Sequence, residues 1–359
     1  MPSTGSSAML VDNDWKIQPA ESAGMDGTVL AGLKPHFTAW REANLHGALI
    51  LRHGKLVLEE YFTGDDTHWS QPLPQTRFDA DTRHDMRSVS KSVTSLLFGI
   101  ACDRGWIKSL DQPLFGLFPE YATLADGAKD RITLRHLLTM SAGFAWDENI
   151  PYSDPANSER KLIVAPDRVR HVLEQPMVRP AGATYNYNGG LTFLLAAIIE
   201  RLAGQGIDAF AQQALFGPLG IKPADVDWNR YADGAANPVS GLRLRPRDMA
   251  RIGQMVLDQG AWQGRPVVSP GYIAESLEPQ VNGAGLFFYG YQWWLGRSLV
   301  NKRELRWAAA FGHGGQRIFI VPEQGLVVVV TAGLYGDPVL MNVVGEVVLR
   351  RYALAAVQG

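Results

Sequence analysis

Apolar residues recur at helical spacing along much of the chain. The clearest example begins at Val93, where apolar side chains at positions 93, 96, 97, 100 and 101 form the stripe of a helix with one buried face. Thr133 is positioned to cap another helix that begins just after it. The same spacing predicts helices over residues 27–43, 191–202, 246–260 and 338–354.

Runs of β-branched and aromatic residues lie nearer the two ends of the chain. Residues 47–52 and 55–62 flank the turn His53-Gly54, a pattern that predicts an antiparallel hairpin. Further strands are predicted over residues 289–295, 316–321 and 326–331.

This distribution of elements predicts an α+β fold. An antiparallel sheet flanked by helices is expected from residues 1–84 and 285–359, which together form a discontinuous domain. Residues 85–284 are expected to form a mostly helical domain inserted between these two parts.

A serine and a lysine lie at the start of the helix that contains Val93. Ser88 and Lys91 are three residues apart, so their side chains are neighbours on one helix face. If burial lowers the pKa of the lysine, its amine can take the serine proton and activate the hydroxyl as a nucleophile. The helix N-terminus adds N–H groups that suit an anionic intermediate. Taken alone, the pair is equally compatible with an N-cap serine and an exposed lysine.

The same four-residue pattern occurs a second time, at Ser158 and Lys161. This copy lies in a polar stretch after Pro151 and Pro155, with no buried helix to desolvate the lysine. Such short patterns recur by chance, so no chemistry is expected there.

Composition limits the partners of the chain. Of its 359 residues, 46% are hydrophobic, which is enough for a large core. The net charge is −2 without long runs of one sign, which disfavours nucleic acid and a membrane surface as partners. Residues 1–10 lack the segments of a secretory signal, and no apolar run approaches the length of a membrane span. We therefore expect a cytoplasmic protein, of an oligomeric state that the sequence does not indicate.

Residues that bind metals or form disulfides give no recognisable site. Cys102 is the single cysteine, so internal disulfides and Cys-cluster zinc sites are excluded, and its position predicts a buried structural thiol. The eight histidines are scattered without ligand-type spacing, and His136 is interpreted as structural. No metal and no cofactor are predicted.

Two glycine-containing stretches could supply a proton-transfer group and an oxyanion site, which a serine–lysine pair does not provide by itself. Tyr187 and Asn188 lie in a loop before an apolar helix, where a tyrosine can shuttle protons; the alternative is an aromatic plug with a satisfied hydroxyl. His313 and Gly315 precede a strand, and glycines there can bring backbone N–H groups close to an oxyanion; the alternative is a simple turn.

In this order, the stretches resemble the serine β-lactamase and penicillin-binding-protein superfamily, in particular its class C-like branch with family VIII carboxylesterases and 6-aminohexanoate-dimer hydrolases. That family carries S-x-x-K at a helix start, then Y-x-N, then K-T-G or H-x-G on an edge strand. Ser88 with Lys91, Tyr187, and His313 with Gly315 match these motifs. Residues 132–143, 242–250 and 289–294 also resemble family sequences, so the resemblance covers nearly the whole chain. It implies a β-lactamase/transpeptidase-like fold.

Two departures from the family pattern bear on the substrate. The residue two after Tyr187 is Gly189, so the asparagine of Y-x-N is displaced to position 188. The third motif begins with His313 in place of lysine, and a histidine is only partly charged at neutral pH. A permanent cation there suits the carboxylate of β-lactams and cell-wall peptides, so its replacement favours other esters or amides.

The resemblance implies two-step acyl transfer. Ser88 attacks an ester or amide carbonyl, Lys91 and Tyr187 handle its proton as one unit, and the N–H groups of Ser88 and Gln316 hold the oxyanion. Which of the two is the base is left open. Tyr152, in a stretch that resembles a cleft-flanking loop of the 6-aminohexanoate-dimer hydrolases, is expected to contact the substrate.

The sequence therefore predicts a serine hydrolase of carboxylic esters or linear amides, with a small molecule as substrate. One alternative is a β-lactamase or D-Ala-D-Ala carboxypeptidase. The other, from a different class, is a non-catalytic ligand-binding sensor.

Overall fold

Both ends of the chain contribute to one antiparallel sheet. The computed structural model describes residues 15–69 and 71–358. The strands are β1 (Leu45–Arg52), β2 (Lys55–Tyr61), β3 (Val281–Asn282), β4 (Phe288–Tyr289), β5 (Trp294–Val300), β6 (Arg303–Gly312), β7 (Gln316–Val321) and β8 (Leu326–Ala332). They follow the order β3-β4-β5-β6-β7-β8-β1-β2 with antiparallel neighbours. The two parts of the chain meet where β8 pairs with β1.

Helices cover both faces of this sheet and fill the region between β2 and β3. They are α1 (Gly27–Ala31), α2 (Leu33–Ala39), α3 (Val89–Asp103), α4 (Leu134–Leu138), α5 (Ser158–Val164), α6 (Arg168–Leu173), α7 (Gly189–Ala203), α8 (Ile207–Ala211), α9 (Pro246–Leu257), α10 (Pro270–Ser276) and α11 (Pro338–Val347). A π-helical segment, Val348–Leu354, continues α11.

Side chains of each strand alternate between two hydrophobic cores, as strand geometry requires. Leu49 and Leu51 of β1 belong to the larger core, which includes residues of α3, α7 and α9. Ala48 and Ile50 belong to the smaller core, with residues of α1, α2 and α11. The sheet is thus a middle layer, and the predicted α+β class is confirmed.

Helix α3 is buried on nearly all sides, and hydrogen bonds fix it in place. The hydroxyls of Ser92 and Ser95 donate to the carbonyls of Gln292 and Tyr291, at 2.6 and 2.7 Å. The hydroxyl of Thr94 donates to a third buried carbonyl. Because buried polar groups must be paired, these bonds hold the helix rigidly between the sheet and the helical region.

Three short strands hold the chain that leads into α3. His84–Asp85 pairs with Leu242–Leu244, which also pairs with Asp227–Trp228. Other short pairs join Thr63–Gly64 to Thr76–Arg77, Thr67–His68 to Gln71–Pro72, and Ala261–Trp262 to Arg265–Pro266.

The sequence predictions hold for most long elements and fail at two strands. The predicted hairpin, the two later strands 316–321 and 326–331, and the helices after Val93, Thr133 and Leu191 are confirmed. The prediction of a single strand over 289–295 is wrong, because the chain leaves the sheet between β4 and β5. Strand β6 was not predicted. The helix expected over 27–43 is divided at Gly32 into α1 and α2.

The division into domains 1–84 with 285–359 and 85–284 stays a prediction, and its residues 1–14 lie outside the described part of the chain. Within that part, no single helix is long and apolar enough to cross a membrane. Among the described residues, one pair of helices, α7 and Ile207–Phe216, is together long and apolar enough for a membrane span, but the two are bent by 78° relative to each other.

Candidate active site

Ser88 lies at the N-cap of α3, directly after a strained turn. Arg87 adopts a φ of 48°, an unusual conformation for a residue with a side chain. Such conformations cost about 1–3 kcal/mol and are found mainly at functional sites. The Ser88 hydroxyl makes no capping hydrogen bond to the helix. The turn therefore places the hydroxyl at the helix N-terminus without a capping bond, and the interpretation of Ser88 as a capping side chain is excluded.

The amine of Lys91 lies beside this hydroxyl. Its Nζ is 2.9 Å from Ser88 Oγ and 3.5 Å from the carbonyl oxygen of Val239. Only 1% of Lys91 is exposed, so the alternative of an exposed lysine is excluded.

Tyr187 completes a cluster of three side chains. The Lys91 Nζ lies 4.9 Å from the centre of its ring, and its hydroxyl is near enough to Ser88 and Lys91 to affect the pKa values of the cluster. The loop before α7 thus brings the tyrosine to the serine–lysine pair, as the order of motifs suggested.

Glu148 is a fourth member of the cluster that the sequence analysis did not single out. One carboxylate oxygen lies 3.4 Å from Lys91 Nζ. The other accepts hydrogen bonds of 2.6 Å from the indole of Trp146 and from the backbone N–H of Gly189. The carboxylate is only 4% exposed, so it forms a buried ion pair with Lys91.

Lys91 has a higher pKa than the sequence analysis assumed. Burial alone would lower the pKa, but the negative charges that Tyr187, Glu148 and Glu159 can carry outweigh burial and raise it. The expectation of a lowered pKa is therefore wrong for the resting site, where Lys91 is an ammonium ion. Burial raises the pKa values of both Tyr187 and Glu148, despite the opposing charge of Lys91.

A second buried carboxylate supports the far side of the site. Glu159, at the start of α5, is 2% exposed and accepts a hydrogen bond of 2.7 Å from the hydroxyl of Ser240. It also accepts one from the hydroxyl of Tyr152. Tyr152 itself is 42% exposed, so its ring is accessible while its hydroxyl is held.

His313 and the two glycines after it form the turn between β6 and β7. The imidazole lies 6.4 Å from the ring of Tyr152 and 5.6 Å from that of Tyr335, measured between ring centres. Burial and the nearby charge of Arg87 lower the pKa of His313, so the ring is neutral at pH 7. Gly314 has a φ of 85°, and a Cβ there would lie 2.4 Å from Tyr335, so this turn requires glycine.

The remaining predicted site residues lie close to the cluster. Gln316 begins β7, and its side-chain amide donates to the carbonyl of Ala332. Asn188 caps α7 through its side-chain oxygen, which accepts from the N–H of Leu191 at 3.3 Å. Roles of Gln316, Gly315, Asn188 and Tyr152 in substrate or oxyanion binding stay predictions.

A cluster of aromatic side chains packs next to Tyr187. The ring of Trp294 is 5.7 Å from that of Tyr187 and stacks on Phe311 at the same distance. Tyr185 packs edge-on against the same indole. Apolar substrate groups would find a hydrophobic surface here.

The other predicted features are structural. The second S-x-x-K pattern lies on α5 and not in a loop, but its Lys161 is exposed, and Ser158 accepts a hydrogen bond from the backbone of Asp147. His136 is bonded to Thr133 in a capping box, as expected. Cys102 is half-buried, and burial raises the pKa of its thiol to about 12.

Comparisons with known proteins show the family of the chain. A family model described as Beta-lactamase matches residues 38–342. The chain is 28% identical over 259 residues to a 6-aminohexanoate-dimer hydrolase of Paenarthrobacter ureafaciens, a match covering 69% of this chain and 61% of that protein. It is 26% identical over 220 residues to the esterase EstB of Burkholderia gladioli, covering 56% and 54%. The chain thus spans less than two thirds of the length of these relatives.

Solved structures show the same fold. A family VIII carboxylesterase superposes with a TM-score of 0.64 at 15% identity, covering 90% of this chain and 98% of that one. The simvastatin synthase of Aspergillus terreus superposes with a TM-score of 0.68 at 16% identity, covering 92% and 98%. The family model matches residues 38–342, which are most of the chain and include Ser88, Tyr187 and His313. The chain therefore belongs to the beta-lactamase family.

Proposed function

We propose that the protein is a serine hydrolase that cleaves carboxylic esters or linear amides through an acyl-enzyme on Ser88. The observation that carries the proposal is the 2.9 Å contact between Lys91 Nζ and Ser88 Oγ, inside a buried cluster that also contains Tyr187. The names of the relatives, an amide hydrolase and an esterase, support the same substrate classes.

In the first step, the proton of Ser88 must leave as its oxygen attacks the carbonyl carbon. Lys91 is protonated in the resting site, so it becomes an acceptor only after it has passed a proton to a neighbour. Glu148, 3.4 Å away and with a raised pKa, is the nearest carboxylate able to take that proton. A bound substrate excludes water and so removes solvation from both charges, which favours proton transfer within the pair and hence the neutral amine.

Tyr187 is the second part of the proton path. Its hydroxyl lies near both Ser88 and Lys91, so it can relay the serine proton to the amine and later to the leaving group. Backbone N–H groups of Ser88 and Gln316 are proposed to stabilise the oxyanion. Water then attacks the acyl-enzyme by the reverse proton path, and the acid product leaves.

The neutral His313 favours esters and linear amides over β-lactams. A β-lactamase or D-Ala-D-Ala carboxypeptidase holds a substrate carboxylate, and a neutral imidazole provides no positive charge for it. The non-catalytic sensor is the less favoured alternative, because such a protein has no need of a lysine buried against a serine hydroxyl.

The experiment compares turnover of p-nitrophenyl butyrate, of a linear 6-aminohexanoate amide and of nitrocefin by the same preparation. We expect hydrolysis of the ester or the amide and covalent labelling of Ser88 by a fluorophosphonate, located by peptide mass spectrometry. Turnover of nitrocefin alone would favour the β-lactamase alternative. Absence of both labelling and turnover would favour the sensor. A cytoplasmic location, a small-molecule substrate and the lack of nucleic-acid or membrane partners stay predictions.

A further inference from the structure

We propose that His46, Asp66 and His84 form a structural binding site for one zinc ion. One potential ligand atom from each of these residues lies within 4.8 Å of the other two. The Asp66 carboxylate oxygen Oδ2 is 4.0 Å from Nδ1 of His46 and 3.8 Å from Nδ1 of His84. Two imidazoles and a carboxylate are a donor set that suits zinc. No residue of this cluster takes part in the proposed hydrolysis.

The two ring nitrogens that face Asp66, Nδ1 of His46 and Nδ1 of His84, are buried without hydrogen-bond partners among the described residues. Nε2 of His84 also has no partner there, and the two histidines are 0% and 1% exposed. A buried nitrogen without a partner is unfavourable, and few remain in folded proteins. A bound cation would accept a lone pair from one nitrogen of each ring.

The surroundings of the cluster orient the ligand atoms as metal sites require. Nε2 of His46 lies 3.0 Å from the carbonyl oxygen of Asp65 and donates to it, which leaves Nδ1 as the unprotonated, ligating nitrogen. Oδ1 of Asp66 accepts hydrogen bonds from the N–H of Thr67 and the hydroxyl of Tyr335, at 2.8 and 3.2 Å. Oδ2 therefore stays available as a single ligand.

The ligand atoms would move closer together on binding zinc. Tetrahedral zinc with bonds of about 2.0 Å places two ligand atoms about 3.3 Å apart and two imidazole centres about 5.2 Å apart. The two ring centres here are 5.4 Å apart, the carboxylate oxygen is 4.0 and 3.8 Å from the two Nδ1 atoms, and the three ligand atoms lie within 4.8 Å of one another. The proposal therefore requires rotations of the three side chains towards the ion, with a water molecule in the fourth position.

Such a site would join three separate segments. His46 lies on β1, Asp66 on the segment after β2, and His84 on the short strand before Ser88. Through Tyr335, which packs on His313, Asp66 also touches the turn between β6 and β7. A cation here would stabilise the chain on both sides of the cleft.

The test uses the full chain without an affinity tag, purified and then dialysed against a chelator and back into metal-free buffer. Zinc is added and its binding measured by mass spectrometry after gel filtration, with magnesium as the control ion. We expect one zinc per chain and, at free zinc about 100-fold above Kd, a rise in Tm of roughly 4 °C. Asp66→Asn should lose both effects, whereas the matched control Asp65→Asn, at the exposed neighbouring carboxylate, should keep them.

Binding of less than about a tenth of an equivalent by the wild-type chain, or equal binding by Asp66→Asn and Asp65→Asn, would overturn the proposal. If Asp66→Asn does not fold, X-ray absorption of the wild-type chain with added zinc decides the question. Two imidazole ligands in that spectrum support the site, and fewer than two contradict it.

Discussion

The charge on Glu148 should set the pH at which the enzyme becomes active, and Glu148→Gln tests this directly. The substitution keeps the size of the side chain. Its amide oxygen can still accept the hydrogen bonds from Trp146 and Gly189 that hold the carboxylate. What it removes is the negative charge 3.4 Å from Lys91 Nζ.

The size of the effect follows from this distance. At an effective dielectric constant of about 20, two unit charges 3.4 Å apart attract by about 5 kcal/mol, which is an upper value for this pair. In the variant, water that enters the site and the remaining charge on Glu159 compensate for part of the lost attraction. The net loss of electrostatic stabilisation of the Lys91 ammonium is then about half to two thirds of that value. At 1.36 kcal/mol per tenfold change, the proton on Lys91 should leave about 2 pH units lower.

The sign of the change is unambiguous. A neighbouring carboxylate favours the ammonium form of Lys91 and raises its pKa, so removal of that carboxylate lowers the pKa. In Glu148→Gln, Lys91 then loses its proton to solvent at a lower pH, so the neutral amine forms without transfer to a carboxylate at position 148. The acidic limb of kcat/KM, which reports the coupled Lys91–Tyr187 unit in the free enzyme, should move towards acid by about 2 pH units.

The assay is kcat/KM for p-nitrophenyl butyrate between pH 5 and 10, with circular dichroism to confirm folding at each pH. Asp147→Asn is the matched control, because Asp147 is the exposed carboxylate immediately before Glu148. The acidic limb of kcat/KM for Asp147→Asn should coincide with that of the wild type. If the limb of a folded Glu148→Gln moves by less than about 0.3 pH units, Glu148 does not hold the proton on Lys91 and the reasoning is refuted.

Two further variants test the nucleophile and its neighbour. Ser88→Ala should lower kcat on the order of 10³-fold or more without changing the circular dichroism spectrum, and retention of more than a tenth of the activity would exclude Ser88 as nucleophile. Lys91→Arg should be as damaging as Lys91→Ala, because arginine cannot take a proton in this pH range. A Lys91→Arg variant within roughly tenfold of wild type, a barrier change of about 1.4 kcal/mol, would instead indicate a purely electrostatic lysine.

The elements predicted correctly are those whose pattern is local. Helices α3 and α7 have apolar residues at helical spacing, and β7 and β8 are short runs rich in β-branched residues. The sequence predicted one buried face for α3, whereas the structure buries it on nearly all sides. The motifs at Ser88, Tyr187 and His313 were recognisable for the same reason. Each is a few residues long, and its position at a helix or strand start can be inferred from the residues beside it.

The strand predicted over 289–295 failed because a tertiary contact interrupts it. Gln292 has a φ of 63° and is buried, and its amide donates to the carbonyl of Leu137 while accepting from the hydroxyl of Thr192. The chain leaves the sheet to make these bonds to the helical region. No pattern in the aromatic run itself indicates the partners, because they lie far away in sequence.

Strand β6 and residue Glu148 were missed for related reasons. β6 begins with charged residues and contains three consecutive alanines at positions 308–310, which have low strand propensity, and it is stabilised by its neighbours on both sides. Glu148 resembles any surface carboxylate in sequence, and its partner Gly189 lies 41 residues further along. The cluster of His46, Asp66 and His84 likewise forms only when three distant segments meet.

We predict that the Glu148 carboxylate takes the place of the asparagine side chain that the Y-x-N motif would have at position 189. A Cβ on Gly189 would lie 2.7 Å from Cγ1 of Val239 and 2.9 Å from Oε2 of Glu148, so the valine and the carboxylate together occupy the space into which a side chain at position 189 would extend. Gly189→Asn alone should therefore displace Glu148 and lower kcat/KM more than tenfold, through overpacking of the site.

The double variant Glu148→Ala with Gly189→Asn vacates the part of that space held by the carboxylate and supplies an amide in its place, so it should recover part of the activity relative to Gly189→Asn. Contacting residues of this kind couple by about 0.5–3 kcal/mol, which a double-mutant cycle on kcat/KM resolves. The cycle also requires the single variant Glu148→Ala. Its activity shows the effect of losing the carboxylate without gaining an amide at position 189. Strictly additive effects of the two substitutions would mean that Glu148 and position 189 act independently, and that the buried carboxylate does not stand in for the missing amide.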